Sequence, residues 1–236
     1  MSPNIYTVIP ARGGSKSIPK KNIKPLNGYP LIKYSIDYSN SCSLVNRTIV
    51  STDDEEIAEI AQGLGADVPF MRPQSLGGDL VEDYPVILHA LNAMEEIYKE
   101  TIDIIILLRP TSPLRPPSLI ESGINLLNND PAATSVRAVS QSTEHPYRQW
   151  SLQDGYITGF SNSLSSKLEP FNLPRQELPE VFFQTGDIEI IRRKTLNNGS
   201  ISGDRILPLT IDSDQVYDID NQEDFDLAER NLETAK

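Results

Sequence analysis

Tyr6-Thr7-Val8-Ile9-Pro10-Ala11-Arg12-Gly13-Gly14-Ser15-Lys16 is the stretch that decides the fold. Tyr6 to Pro10 is an apolar run of strand length, and a glycine pair set among basic residues ends it. The following Ile18-Pro19-Lys20-Lys21-Asn22-Ile23 continues the basic character, so that Arg12, Lys16, Lys20, Lys21 and Lys24 stand together with no acidic residue between them. Glycines let a backbone approach a ligand and aim its N–H groups at phosphate oxygens, while Arg12, Lys16 and Lys21 supply charge. The order of residues is neither G-x-x-x-x-G-K-[ST] nor G-x-G-x-x-G, which sets aside the P-loop and dinucleotide fingerprints. A Gly-Gly turn with nearby lysines is also an ordinary surface loop, so the reading needs support from elsewhere in the chain.

Working outward, strands are expected at Tyr6 to Pro10, Arg47 to Ser51, Asp67 to Phe70, Ile102 to Leu108 and Ala133 to Val139. Segments of helical period lie between them, at Pro30 to Ser39, Asp54 to Gly63, Asp83 to Lys99 and Pro117 to Asn129, with Thr52 or Asp53 and Ser118 at or near their starts. This alternation specifies an α/β fold, a mostly parallel sheet flanked by helices. After Val139 the rhythm changes. Arg148 to Leu152 and Tyr156 to Phe160 read as a hairpin around Asp154-Gly155. A Ser- and Pro-containing stretch runs from Ser161 to Pro179. Strands at Phe182 to Ile191 and Ile206 to Ile211 return to the sheet, and Asn221 to Thr234 is the last helix. The expectation is one domain over 1–236, with 141–179 protruding as a dimerisation arm or a lid.

The 236 residues are 38% apolar and 23% charged, enough for a substantial core. Neither a signal-peptide pattern nor a long apolar run is present, so a cytoplasmic protein is expected. A net charge of -12 argues against nucleic acid or membrane as partner, because both are polyanionic. With Cys42 as the single cysteine and only His89 and His145 as histidines, a metal would sit on oxygen ligands. Asp218 and Asp220, spaced i, i+2, project from one face of an extended segment and can share a hard cation, for which Mg²⁺ is the natural choice beside phosphates; capping of the next helix is the other reading of such acids.

The opening stretch resembles the signature of the CMP-sugar synthetases, specifically the acylneuraminate cytidylyltransferases, and the resemblance runs along nearly the whole chain. Its further landmarks are Ser51-Thr52-Asp53-Asp54-Glu55-Glu56-Ile57-Ala58, Arg72-Pro73 with Leu76 and Asp79, Pro110-Thr111-Ser112-Pro113-Leu114-Arg115, Arg175-Gln176-Glu177-Leu178-Pro179, and Asp218-Ile219-Asp220. The resemblance implies a Rossmann-like nucleotidyltransferase sheet and CTP as substrate. It places Ala11, Arg12, Gly13, Gly14, Ser15, Lys16 and Lys21 at the phosphates, Asn22 at the ribose, and Arg72, with Asp79, on the nucleotide. A guanidinium suits the cytosine edge. The metal falls to Asp218 and Asp220, and the catalytic set to Arg12, Lys16, Lys21 and Asp220. The sugar end falls to Arg109, Ser112, Arg148, Arg175, Gln176, Thr185, Gly186 and Asp187, and a homodimer is implied.

The implied reaction is attack of the anomeric hydroxyl of a 2-keto sugar acid on the α-phosphorus of CTP. The alternatives are a 3-deoxy-octulosonate cytidylyltransferase and a non-catalytic nucleotide-sugar binding module. At two places the chain departs from the sialic-acid pattern: Arg109 stands where glutamine is common, and Thr185-Gly186-Asp187 where Asn-Gly-Ala is common. A cation and a carboxylate facing the sugar are poor partners for a neutral acetamido group, which predicts a substrate other than N-acetylneuraminate. The alternative is that Arg109 and Asp187 pair with each other or point away from the ligand.

Overall fold

The computed structural model describes residues 3–161, 165 and 167–234. Residues 162–164 and 166, which belong to the expected arm, lie outside the described residues.

β1 (Ile5–Pro10) carries the first apolar run into the centre of a sheet. A two-residue pair, β2 (Pro25–Leu26) and β3 (Tyr29–Pro30), then turns at Asn27-Gly28, both with positive φ, before α1 (Leu31–Asn40). β4 (Arg47–Ser51), α2 (Glu55–Gly63), α3 (Asp83–Tyr98), β5 (Ile104–Leu107), α4 (Leu119–Asn129) and β6 (Ser135–Gln141) follow in the expected alternation. The hairpin is β7 (Trp150–Gln153) and β8 (Tyr156–Gly159), turning on Asp154 and Gly155, both left-handed. β9 (Phe182–Arg192), α5 (Arg193–Asn197), β10 (Ile206–Thr210) and α6 (Gln222–Thr234) complete the chain.

The main sheet has the order β10-β6-β9-β5-β1-β4. β1 pairs in parallel with β4 and β5, and β10 with β6; β9 alone runs antiparallel, between β5 and β6. Its inner strands β1 and β5 are buried on both faces. One core joins Ile9, Ile36, Val50, Ile106 and Ile190 to α1 and α4, and a second joins Val8, Ile49, Leu107 and Ile191 to α3. This two-sided burial explains why β5 reads as an unbroken apolar run.

Two local expectations change. Asp67 to Phe70 forms only an isolated bridge, Asp67 to Ile49, because Pro69 interrupts any ladder there. The cap of α2 is Asp54, whose side chain accepts from the N–H of Ile57; Thr52 instead accepts from the N–H of Asp54. Ser118 stands at the start of α4 in a left-handed conformation, with no side-chain cap.

Candidate active site

A cleft of about 540 Å³ opens where β1 and β5 end, the usual place for a ligand in a parallel sheet. Arg12, Ser15, Lys16, Lys21 and Asn22 line it, facing Arg72, Asp79, Arg109 and Asp220. Sequence-distant residues expected at the nucleotide thus share one cavity.

The basic loop is held from behind. The N–H of Ala11 donates to the Ser51 carbonyl at 2.9 Å, and that of Gly13 to Asp53 Oδ1 at 2.9 Å. A Cβ on Gly13 would come within 2.6 Å of Asp54 Oδ2, so this glycine is required by the α2 cap; Gly14 faces open space. Ala11 and Gly13 therefore fasten the loop, and they and Gly14 are not among the residues lining the cleft. Asn22 is buried, and its Nδ2 ties the loop to the Arg12 carbonyl at 2.9 Å. Asp79 forms ion pairs with both Arg12 and Lys16, and all three line the cleft. Lys21 Nζ donates to the Ile219 carbonyl at 2.8 Å. Burial lowers its pKa, and the neighbouring Asp220 and Asp218 oppose that shift.

Arg72 is buried and holds the end of β4, donating from Nε to Ser51 Oγ at 3.1 Å and also to the Ser51 carbonyl. Burial lowers its pKa. These bonds go to neutral oxygens, so the guanidinium retains charge where it lines the cleft.

Asp220 lines the cleft; Asp218 does not, although its carboxyl lies beside Thr111. Desolvation raises the Asp218 pKa, the Thr111 hydroxyl lowers it, and the Asp220 carboxylate raises it further. Two crowded carboxylates of this kind are the donor set that Mg²⁺ takes together with phosphates. No group of three or more His, Cys, Asp or Glu suited to a metal exists among the described residues. The helix cap is Asn221, whose Oδ1 accepts from the Asp224 N–H at 3.1 Å, while Asp224 Oδ2 accepts in return from the N–H groups of Asp220 and Asn221; neither Asp218 nor the Asp220 carboxylate is used as a cap.

The expected sugar residues divide. Arg109 lines the cleft with Thr111. Gly186 supplies its carbonyl to Arg109 Nη1 at 3.4 Å. Ser112, Thr185 and Asp187 are buried behind the wall, with Ser112 Oγ, Thr185 Oγ1 and both Asp187 oxygens lacking partners among the described residues. The expectation of an Asp187 carboxylate facing the sugar is corrected: at 1% exposure Asp187 lies in the interior. Nor does it pair with Arg109, whose Nη2 reaches Asp83 at 2.5 Å and Glu189 at 2.8 Å. Arg148 and Arg175 line a second cavity of about 660 Å³ with His145 and Glu144, apart from the first; Gln176 is exposed and lines neither. His145 shapes its turn, accepting from the Tyr147 N–H at 3.0 Å, and His89 packs edge-on against Phe70.

Residues missed in sequence are Asp83, Arg115, Arg137 and Glu189. Arg115 is buried and braces the Pro110-to-Arg115 turn, donating to the Arg109 carbonyl at 2.5 Å and the Asp187 carbonyl at 2.6 Å; burial pulls its pKa down to about 10. Glu189 lies in the apolar run Ile188-Glu189-Ile190-Ile191, and a charge in such a run was the available signal.

A mostly parallel sheet whose ends carry a basic loop opposite paired carboxylates defines a nucleotidyltransferase cleft. The cytidylyltransferase family profile matches residues 6–167. Post-translational flagellin modification protein B of Campylobacter coli is 31% identical over 226 residues, covering 95% of this chain and 93% of that protein. CMP-N,N'-diacetyllegionaminic acid synthase of Campylobacter jejuni is 30% identical with the same coverage. Among solved structures, a CMP:2-keto-3-deoxy-manno-octonic acid synthetase complexed with CTP superposes with a TM-score of 0.72 at 18% identity, covering 99% of this chain and 100% of that one, a likeness of fold. The chain belongs to the cytidylyltransferase family. It is a nucleotidyltransferase by that membership.

Proposed function

We propose that the protein transfers CMP from CTP to the anomeric hydroxyl of a nonulosonic acid. The hydroxyl, which Asp220 helps to activate, loses its proton to solvent as its oxygen bonds to the α-phosphorus; the bond from that phosphorus to the β-phosphate bridging oxygen breaks, and pyrophosphate leaves. The observation that carries this reading is the single cleft in which Arg12, Lys16 and Lys21 face Asp220 and Arg109. The three cations offset charge on the phosphates, positioned before the reaction begins. Asp220 and Asp218 would hold Mg²⁺, which neutralises phosphate charge when bound. Lys21, fixed on the Ile219 carbonyl, ties the cradle to that acidic segment.

The name of the Campylobacter jejuni relative, CMP-N,N'-diacetyllegionaminic acid synthase, supports a nonulosonic acid. An octulosonate substrate is the second reading, favoured by the solved synthetase of the same fold. The exposed apolar side chains Leu152, Tyr156, Ile157 and Phe160 on the β7–β8 hairpin support a homodimer through this arm, with Arg148 and Arg175 at the seam. No helix among the described residues is long and apolar enough to cross a membrane.

The test is pyrophosphate release with CTP and Mg²⁺ across N-acetylneuraminate, legionaminates, pseudaminates and 3-deoxy-octulosonate. Turnover best with a nonulosonic acid other than N-acetylneuraminate is expected. Preference for the octulosonate supports the second reading, and CTP binding without turnover of any acid overturns both.

A further inference from the structure

Arg109, Asp83, Glu189 and Arg137 form one chain of charges running from the cleft into the sheet. Arg109 Nη2 donates to Asp83 Oδ2 at 2.5 Å and to Glu189 Oε1 at 2.8 Å, while Arg137 Nη2 donates to Glu189 Oε2 at 2.5 Å. Two cations and two anions cancel. The side chain of Glu189 is 1% exposed, those of Arg109 and Arg137 are each 21% exposed, and that of Asp83 is 38% exposed. The most accessible member of the set is therefore an acid. Asp83 lines the cleft, and Arg109, itself clamped on Glu189 and the Gly186 carbonyl, fixes one of its oxygens.

An ionised carboxylate only accepts hydrogen bonds. Held in this way it repels a substrate carboxylate or phosphate and favours an N–H or O–H donor. Asp83 stands in the cleft between Arg72, whose charge it offsets, and Arg109, from which the chain continues through Pro110 to Thr111 beside Asp218. We propose that Asp83 is a specificity-determining residue that accepts a hydrogen bond from an amide N–H or hydroxyl of the sugar acid. This rests on the reading of the cleft as the place of CMP transfer to such an acid. Arg109 is then a positioning residue for Asp83, and the cation that replaces a neutral residue here serves to present an anion.

A site built to bond a donor discriminates against the analogue lacking it, and partial exposure of Asp83 reduces the effect to about 10- to 100-fold. The experiment measures kcat/KM for wild type, Asp83→Ala and Asp83→Asn with paired nonulosonic acids that differ by one amide N–H or hydroxyl replaced by hydrogen. CTP binding by calorimetry and thermal melting are recorded for each protein. The expected result is a preference of about 10- to 100-fold in wild type that falls to within about threefold in Asp83→Ala, with CTP affinity unchanged. Asp83→Asn should keep an intermediate preference, because its amide oxygen still accepts. Preference that survives in Asp83→Ala overturns the inference while leaving the proposed reaction standing. A loss that falls on CTP affinity assigns Asp83 to cytidine and equally overturns it. Failure of wild type to turn over any acid while still binding CTP removes the proposed reaction, and this inference with it.

Discussion

Glu189 carries its charge inside the sheet and shares it between Arg109 and Arg137. Removing one partner of a buried ion network leaves the others unpaired, at a cost of about 3–5 kcal/mol. Glu189→Ala should therefore lower stability by about that amount, read from the urea midpoint, and Glu189→Gln by less. Asp187 is the opposite case. Desolvation raises its pKa above 3.8, and the charge of nearby Arg115 opposes this only in part. The native state then binds more protons than the unfolded chain from 3.8 up to the raised native value, so stability falls as pH rises through that window. Asp187→Asn should flatten this fall in urea titrations at successive pH values, whereas an unchanged slope would show that Asp187 is not its source. Asp218→Asn and Asp220→Asn should each lower kcat by on the order of 100-fold with the melting temperature preserved. The cradle was legible in sequence because Arg12, Lys16 and Lys21 lie close together along the chain. Asp83 and Glu189 were not, since one reaches Arg109 from the start of α3 and the other from β9 inserted beside β5, contacts that no local spacing encodes.

At the scale of elements, α4 packs on β9 and β6 through a glycine. A Cβ on Gly123 would lie 2.4 Å from Ile190 Cδ1 and 3.6 Å from Val136 Cγ1. Alanine gains about 1 kcal/mol of helix propensity, but overpacking costs about 1–3 kcal/mol, so Gly123→Ala should lower the melting temperature. Ile190→Val removes the crowded methyl, and the double variant should recover part of the loss; an additive further loss would place the strain elsewhere. The parallel strands and their helices were readable because two-sided burial and helical period leave distinct patterns. The direction of β9 was not, because its apolar run fits a parallel or an antiparallel neighbour equally well. The Asn27-Gly28 turn shows a different omission, a hairpin signal whose flanking strands are only two residues long.

At the scale of the molecule, the hairpin arm exposes Ile157 at 60% and Leu152 at 75%. If two copies cover these residues, Leu152→Glu with Ile157→Lys should yield a monomer by sedimentation equilibrium, with activity reduced because Arg148 and Arg175 lose the facing copy. A wild-type monomer at working concentration would refute the arrangement. The arm was legible as a break in the βα rhythm, but what it touches is not a property of one chain.

β9 lies between strands that precede it in sequence: Ile104 of β5 pairs with Arg192, and Ser135 of β6 with Ile191. During synthesis, the first half of the sheet and the β6 strand thus emerge with no strand to join them, and each presents an unpaired apolar edge. Closure waits for the chain to pass residue 192, so the sheet completes late and through contacts distant in sequence. A ribosome paused between β6 and β9 would hold an aggregation-prone intermediate, and a fragment ending at residue 167 would retain the matched family span yet lack the strand that makes one sheet of it.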